Sequence, residues 1–553
     1  MKSKRDLKSL DIGALPVVNK YIEDCRFHEI FADFMPSESG AKISSADVVV
    51  FLLRNIMLAS YPLYKLSEWA CNYPARLLGL AHVEMLNDDR VGRALEKLFL
   101  ADRSTMTTEI ALHIIKHYQI EMSTCHNDST SISFYGAYKR EAKFEKKPVS
   151  LQRGFNKDHR PDLKQLVFNL VVAGDGAVPI HYMLYDGNVT DDTTHRNTWD
   201  SLRSLVGHPD FIYVADCKLC TAENMAHIDS RGGSFITVMP QTRKEYALFV
   251  QWVQEHPQEG QPLFYRNPNT SKPDSYRGYE SPAFISEEGF RIIWIRSTQK
   301  RRLDAEARNN RIHAVKDKLT ELSGKLNRYY LKSQKNIRQQ VEQILGEHKM
   351  KDCFDYAIKT SRISSKKKLS PGRPGPASDY AAVTEKHYSL NWAVNKQVVE
   401  KKSHADGFFP LITNVKNMDM KTILKHYKYQ PHLEKRHSYL KSLLDVAPVY
   451  LKMPERIEAL LFLYYLALML YALIERDMRE SMKQARLKSI PIYPEKRECR
   501  KPSAERIFDI LKNISVHELR ENNVLTETFF DELSDLQVNV LNLLEVPMKH
   551  YGR

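Results

Sequence analysis

A chain of 553 residues, 42% apolar and 27% charged, holds enough apolar side chains for several cores. That excludes a disordered chain, and the length excludes one ordinary domain. Lys and Arg number 82 against 68 Asp and Glu, a formal charge of +14, which favours a polyanionic partner and most simply nucleic acid; a merely basic enzyme is the alternative reading. Seven scattered cysteines, an odd number, argue against a disulfide scaffold and for a reducing compartment. Cys217 and Cys220 form a lone CxxC without the second ligand pair that zinc needs.

The first residues, MKSKRDLKSLDIG, are basic with no apolar run behind them, so no secretory signal is expected. Residues 15–117 read as helices. Ser44 or Ser45 suits an N-cap, with Asp47 in the first turn before the apolar run 48–59. A second amphipathic helix opens near Asp88 and sets Arg90, Arg93 and Lys97 on neighbouring turns, either a DNA-recognition surface or a solvated face.

From residue 118 the period changes. Segments 119–125 and 131–135 alternate like strands, with a turn expected at Asn127-Asp128-Ser129. Residues 166–173 form a β-rich run closed by Gly174-Asp175-Gly176, and 179–185 can pair with it. Helices are expected at 191–206 and 221–228, and buried strands at 211–215 and 234–239. This order gives a mixed α/β sheet with helices against it. Residues 240–300 carry strand-like pieces such as 291–295, and 301–347 are charged and helical in pattern. Ser364 to Lys368 followed by Pro371 to Pro376 reads as a linker or exposed basic loop. Residues 380–400 look β-like, and 408–413 form a buried strand. Pro431 fits the first turn of a helix running to about Asp445. The apolar run 459–474 is 16 residues long, bounded by Glu458 and Glu475. It would span about 24 Å against a hydrocarbon layer of about 30 Å, so a buried core helix is expected rather than a membrane span.

Three acids stand out. Asp128 and Asp216 end or follow apolar strand-like runs, and Glu434 lies about one turn into its helix. Three carboxylates gathered at one point suit two Mg2+ or Mn2+ ions about 4 Å apart, which is what phosphoryl transfer by two metals needs. Asp175, Asp186, Asp191 and Asp192 also lie near expected strand ends and compete for the role. On the helix, Glu434, His437 or Ser438, and Lys441 share one stripe. Lys441 and Tyr427 are placed to contact phosphates beside the cleaved bond.

The run Tyr427-x2-Gln430-x3-Glu434-x6-Lys441 resembles the Tyr-x2-Arg-x3-Glu-x6-Lys signature of one group of bacterial insertion-sequence DDE transposases. The stretches around His126 to Thr130, Lys157 to Gln165, Val214 to Asp216, Asp406 to Phe409 and Pro454 to Leu460 resemble that group in the same order. The resemblance covers about residues 120–480. It implies an RNase H-like core whose acids are Asp128, Asp216 and Glu434, interrupted by an insertion and flanked by helical N- and C-terminal parts. The domains expected are 1–117, helical and assigned to DNA-end recognition; 118–240 and 401–476, the two halves of the core; 241–400, the insertion; and 477–553, helical and basic. Gln430 departs from the signature Arg. It can hydrogen-bond but not neutralise charge, and Lys428, Lys435 or Arg436 are candidates to compensate.

The function expected is transposition: cleavage at the element's terminal inverted repeats and joining of the 3′ ends to target DNA. Tyr427, Gln430, Lys441, Arg160 and Lys164 would contact double-stranded DNA. The expected form is a homodimer on DNA, cytoplasmic and nucleoid-associated, with no membrane. An RNase H-like nuclease without strand transfer and a non-catalytic DNA-binding protein are the rival readings.

Overall fold

The structure is a computed structural model. It describes residues 5–553 apart from 38–39, 41, 60, 81, 137, 139–142, 158–159, 267–273, 370, 372, 374–378, 445–450 and 523. The chain divides into two compact units, Met1–Thr237 with Ile423–Arg553, and Val238–Thr422.

The first unit opens with strand β1 (Arg5–Asp11) and a set of helices, the longest being Ser45–Leu58, Asp88–Leu100 and Arg103–His117. Ser44 caps the first of these with a reciprocal Asp47 box, as the sequence suggests. Five strands follow: β2 (Thr124–Phe134), β3 (Lys164–Ala173), β4 (Pro179–Asp186), β5 (Ile212–Ala215) and β6 (Ser234–Val238). They lie in the order β4-β3-β2-β5-β6. The first three pair antiparallel and the β2-β5 and β5-β6 pairs are parallel, the mixed RNase H-like arrangement. Helices His195–Val206 and Ala222–Asp229 fall within a few residues of expectation, because buried parallel strands write continuous apolar runs between amphipathic helices.

The expectation for the first strand fails. Asn127-Asp128-Ser129 is not a turn but the middle of a single 11-residue strand. The antiparallel ladder with β3 runs unbroken from Cys125 opposite Ala173 to Phe134 opposite Lys164. Asn127, a turn former by propensity, donates instead to Asn169 Oδ1 at 2.6 Å and to the Leu170 carbonyl at 3.2 Å. Non-local pairing overrides the local preference. The segment before Thr124 is not a strand either; Gln119, at φ 51°, lies just past the end of the Arg103–His117 helix.

The second unit carries β7 (Gln261–Arg266), β8 (Ser275–Tyr279), β9 (Arg291–Ser297), β10 (Phe354–Lys368), β11 (Tyr380–Val394) and β12 (Phe408–Thr413). Strands β7, β8, β9 and β12 pair antiparallel in the order β12-β9-β8-β7. Helices Thr298–Lys325 and Gln334–Glu347 pack with the base of the β10–β11 hairpin around Val315, Leu319, Val341, Leu345 and Phe354. Ser364 to Lys368 therefore lie in a strand, paired with residues 380–384, rather than in a linker. Of the linker expected at 371–376, Gly372 and residues 374–376 lie outside the described residues.

Back in the first unit, the chain forms helix Gln430–Leu444, with Pro431 in its first turn; its expected end at Asp445 lies outside the described residues. Helix Pro454–Gln484 then runs for 31 residues. Its apolar stretch is buried on all sides, so it is a core helix. Glu458 and Glu475 do not close it, as the charge pattern suggested, but are buried within it. Each has donors: Glu458 pairs with Arg103 and accepts the Val149 amide at 2.8 Å. The C-terminal part adds helices Ala504–Leu511 and Asp535–Leu543. It also adds β13 (Ser515–Glu521) and β14 (Val524–Phe530), which make a small sheet in the order β1-β13-β14. The sequence suggests no such sheet, since β1 is short and polar and its partner β13 lies across most of the chain.

Candidate active site

Two of the three acids owe their positions to strand register. β2 and β5 pair in parallel, Thr124 with Ile212, Cys125 with Tyr213 and His126 with Val214. Asp128 follows His126 by two residues and Asp216 follows Val214 by two, so both acids lie just beyond the paired stretch of these neighbouring strands, and the charge of Asp128 reaches Asp216. Asp128 thus lies within its strand, not at its end, but just past the last residue that pairs with β5. Asp216 follows the final residue of β5. Its Oδ1 accepts the Lys218 amide at 3.0 Å, and its carbonyl accepts the Thr237 hydroxyl at 2.5 Å, which fixes the turn after the strand.

Burial pushes both carboxyls up from the ordinary aspartate range. At Asp128 it is opposed by Lys157, and at Asp216 it is reinforced by the charge of Asp128. Two desolvated carboxylates facing each other call for a cation.

Glu434 is exposed on helix Gln430–Leu444. It lines a cavity of about 360 Å3 with Asp128, Ser129, Lys157, His437, Ser438 and Lys441. Asp216 does not line this cavity. It is tied to the other acids through the field of Asp128, which it feels, and through Tyr427. The Tyr427 hydroxyl is pushed up to about 12 by burial, then by Asp216, Cys217 and Glu434. His437 is buried, and its Nε2 lies 3.6 Å from Asp128 Oδ2. Burial drives its pKa down to about 3, so it stands as a neutral imidazole against the acid.

The remaining residues divide. Gln430 donates to the Asn127 carbonyl at 3.4 Å, and its Oε1 is buried with no hydrogen-bond partner among the described residues. It braces the backbone beside Asp128. Lys435 and Arg436 do not compensate for the missing Arg. Both are bound to Glu475, at 2.8 and 2.9 Å, and Arg436 is 2% exposed. Arg160 is held by Asp162 through two contacts of 2.9 and 2.7 Å. Lys164 opens β3 opposite Phe134, and neither it nor Arg160 lines the cavity. Arg90, Arg93 and Lys97 line a separate cavity of about 470 Å3 with Lys42, and Arg93 pairs with Asp89 at 2.7 Å.

Among the competing acids, Asp175 is bound to Arg476 at 2.8 Å and Asp186 accepts the Ser150 amide at 2.7 Å. Asp191 behaves differently. Its Oδ1 accepts the Ser129 hydroxyl at 2.5 Å, and its Oδ2 lies 3.4 Å from Lys157 Nζ. Lys157 in turn stands 3.3 Å from Asp128 Oδ1. Sequence reasoning missed Lys157 and passed over Asp191. The run around Lys157 was noticed for its likeness alone, and nothing in it pointed to the acids.

Among the described residues no three His, Cys, Asp or Glu side chains stand closely enough to close on one ion as placed. The donor set nonetheless fits a hard divalent cation. It consists of carboxylate and backbone oxygens, and a lysine ammonium already stands among them in a cation's place.

The model of the Transposase DDE domain family matches residues 121–470, and that of a domain of unknown function (DUF4277) matches residues 7–112. The chain belongs to the DDE transposase family, whose members work on DNA with divalent metal ions. No curated protein matches in sequence. Among solved structures, the chain is similar to a piggyBac transposase in a synaptic complex with hairpin DNA, at 12% identity and a TM-score of 0.26. That match covers 49% of this chain and 58% of the other.

Proposed function

We propose that this protein is the transposase of an insertion sequence, cutting at the element's terminal inverted repeats and joining the freed 3′ ends to target DNA. The observation that supports the reading is that Glu434 lines the same cavity as Asp128, while Asp128 and Asp216 each lie two residues past the last paired residues of β2 and β5. In this reading Asp128, Asp216 and Glu434 hold two divalent cations, Mg2+ or Mn2+. When bound, such ions supply activation of the attacking water or 3′-hydroxyl and stabilisation of the leaving oxygen.

The chain's own side chains do the rest. His437, neutral and packed against Asp128, fixes that carboxylate's rotamer without competing for its charge. Gln430 holds the β2 backbone at Asn127. Lys441, on the cavity wall, meets a phosphate next to the reacting one, and Tyr427, which feels the charges of Asp216 and Glu434, orients the strand. The exposed basic residues of the β10–β11 hairpin (Lys359, Arg362, Lys366 and Lys367) offer further backbone contacts, and Arg160 and Lys164 weaker ones. Two ends must be cut in concert, so a homodimer assembles on DNA.

The test is a strand-transfer assay with a labelled 3′-hydroxyl donor end and a supercoiled target. Joined product is expected. Cleavage without joining would make the protein a nuclease of the same fold, and ion-independent binding alone would make it a DNA-binding protein.

A further inference from the structure

The Lys157 ammonium is surrounded by oxygen. It donates to the Ser129 carbonyl at 2.5 Å, to Ser129 Oγ at 3.2 Å and to Asp128 Oδ1 at 3.3 Å. Asp191 Oδ2 lies 3.4 Å away, and Asp191 is itself held by the Ser129 hydroxyl. Four oxygens from three residues thus enclose one point charge, and two of those residues are acids. The cage draws on β2 for Asp128 and Ser129, on the segment between β2 and β3 for Lys157, and on the turn before the His195–Val206 helix for Asp191. A hard divalent ion takes the same oxygen types at about 2.0–2.6 Å, shorter than the contacts of an ammonium. Lysine suits a temporary tenant: its charge is compact and its stem flexible, so it can withdraw.

We propose that Lys157 is a resident counter-ion of the acid site. It neutralises Asp128 and Asp191 before an ion is loaded, and a divalent ion binds by displacing it, with Asp191 joining as an oxygen donor. This rests on the reading of Asp128 as an ion ligand. It accounts for two observations together. The half-buried Asp128 and Asp191 tolerate each other because a cation is built into the chain, and among the described residues no three acids close on one point because that point is taken. A merely structural ion pair would predict only that losing Lys157 loosens the fold.

The experiment is calorimetric titration of the full chain with Mn2+ alone, without DNA, on wild type, Lys157→Met, Lys157→Gln, Asp191→Asn and Asp128→Asn, each checked for folding by circular dichroism. Removing the competitor should tighten Mn2+ binding about tenfold in Lys157→Met, the scale of two part-exposed ion pairs no longer broken on loading. Lys157→Gln, which keeps a hydrogen bond to Ser129 but no charge, should move the same way and serves if the Met variant does not fold. Thermal melts should show a lower midpoint for Lys157→Met without ion and a larger upward shift with it. Asp191→Asn should weaken binding. Equal or weaker Mn2+ binding in the Lys157 variants, with binding abolished in Asp128→Asn, overturns the displacement and leaves the ion site standing. Binding unchanged in Asp128→Asn overturns the underlying reading, and the inference with it.

Discussion

Replacing Glu475 by Gln should unseat the helix that carries Glu434. Glu475 is 1% exposed and accepts from Lys435 Nζ at 2.8 Å, Arg436 Nη1 at 2.9 Å, Arg479 Nη2 at 3.3 Å and the Tyr439 hydroxyl at 3.2 Å. Three of these donors belong to helix Gln430–Leu444. Burial alone would raise the carboxyl's pKa, but the surrounding cations hold it at about 2, against 4.5 ordinarily. That difference corresponds to about 3 kcal/mol of stability. Leaving Arg436 buried without its partner gives a similar figure, about 3–5 kcal/mol. The expected fall in melting temperature is on the order of 5 °C for a unit of this size. Because the folded pKa is depressed, the contribution is complete above about pH 4.5 and fades as pH drops toward 2. Urea unfolding of wild type and Glu475→Gln, followed by circular dichroism between pH 5 and 8, should show a constant difference. A loss below about 1 kcal/mol would refute the anchoring argument, since it would mean that the cluster gains no more than a surface pair.

Adding Arg436→Met to Glu475→Gln should recover much of the lost stability, measured in the same unfolding series, because the one fully buried cation of the cluster is then removed. Lys441→Ala should weaken binding to end DNA and flatten the slope of log K against log salt by about one unit, read by fluorescence anisotropy. Replacing Lys359, Arg362, Lys366 and Lys367 together by Ala should flatten it by up to about four units with little change in melting temperature, since these side chains are exposed on the hairpin.

The parts of the fold legible in the sequence are those whose signal is local. β5, β6 and β12 are short apolar runs bounded by turn residues, and the helix around Glu434 announces itself through Pro431 and the stripe to Lys441. The 459–474 run read as core, and its burial bears that out, although the whole 31-residue helix is long and apolar enough to cross a bilayer. What stayed hidden depends on distant pairing. The strand through Asn127-Asp128-Ser129 exists because β3 supplies a ladder, and β1 finds its partner β13 across nearly the whole chain. Glu475 looked like the end of an apolar segment. Only the fold shows that it gathers Lys435 and Arg436, two of the three candidates to stand in for the signature Arg at position 430. Lys157 and Asp191 illustrate the same limit at the site. No spacing rule links a lysine in one connecting segment to an aspartate in another, and their meeting at Ser129 is decided by tertiary structure alone.

The central claim is that Asp128, Asp216 and Glu434 act together on DNA. It is tested most directly by nicking of an end-containing substrate in Mg2+ or Mn2+ by Asp128→Asn, Asp216→Asn and Glu434→Gln, with end binding measured on the same preparations. Each variant should lose nicking while still binding the ends. Nicking at the wild-type rate by any one of them would remove that residue from the site and contradict the account.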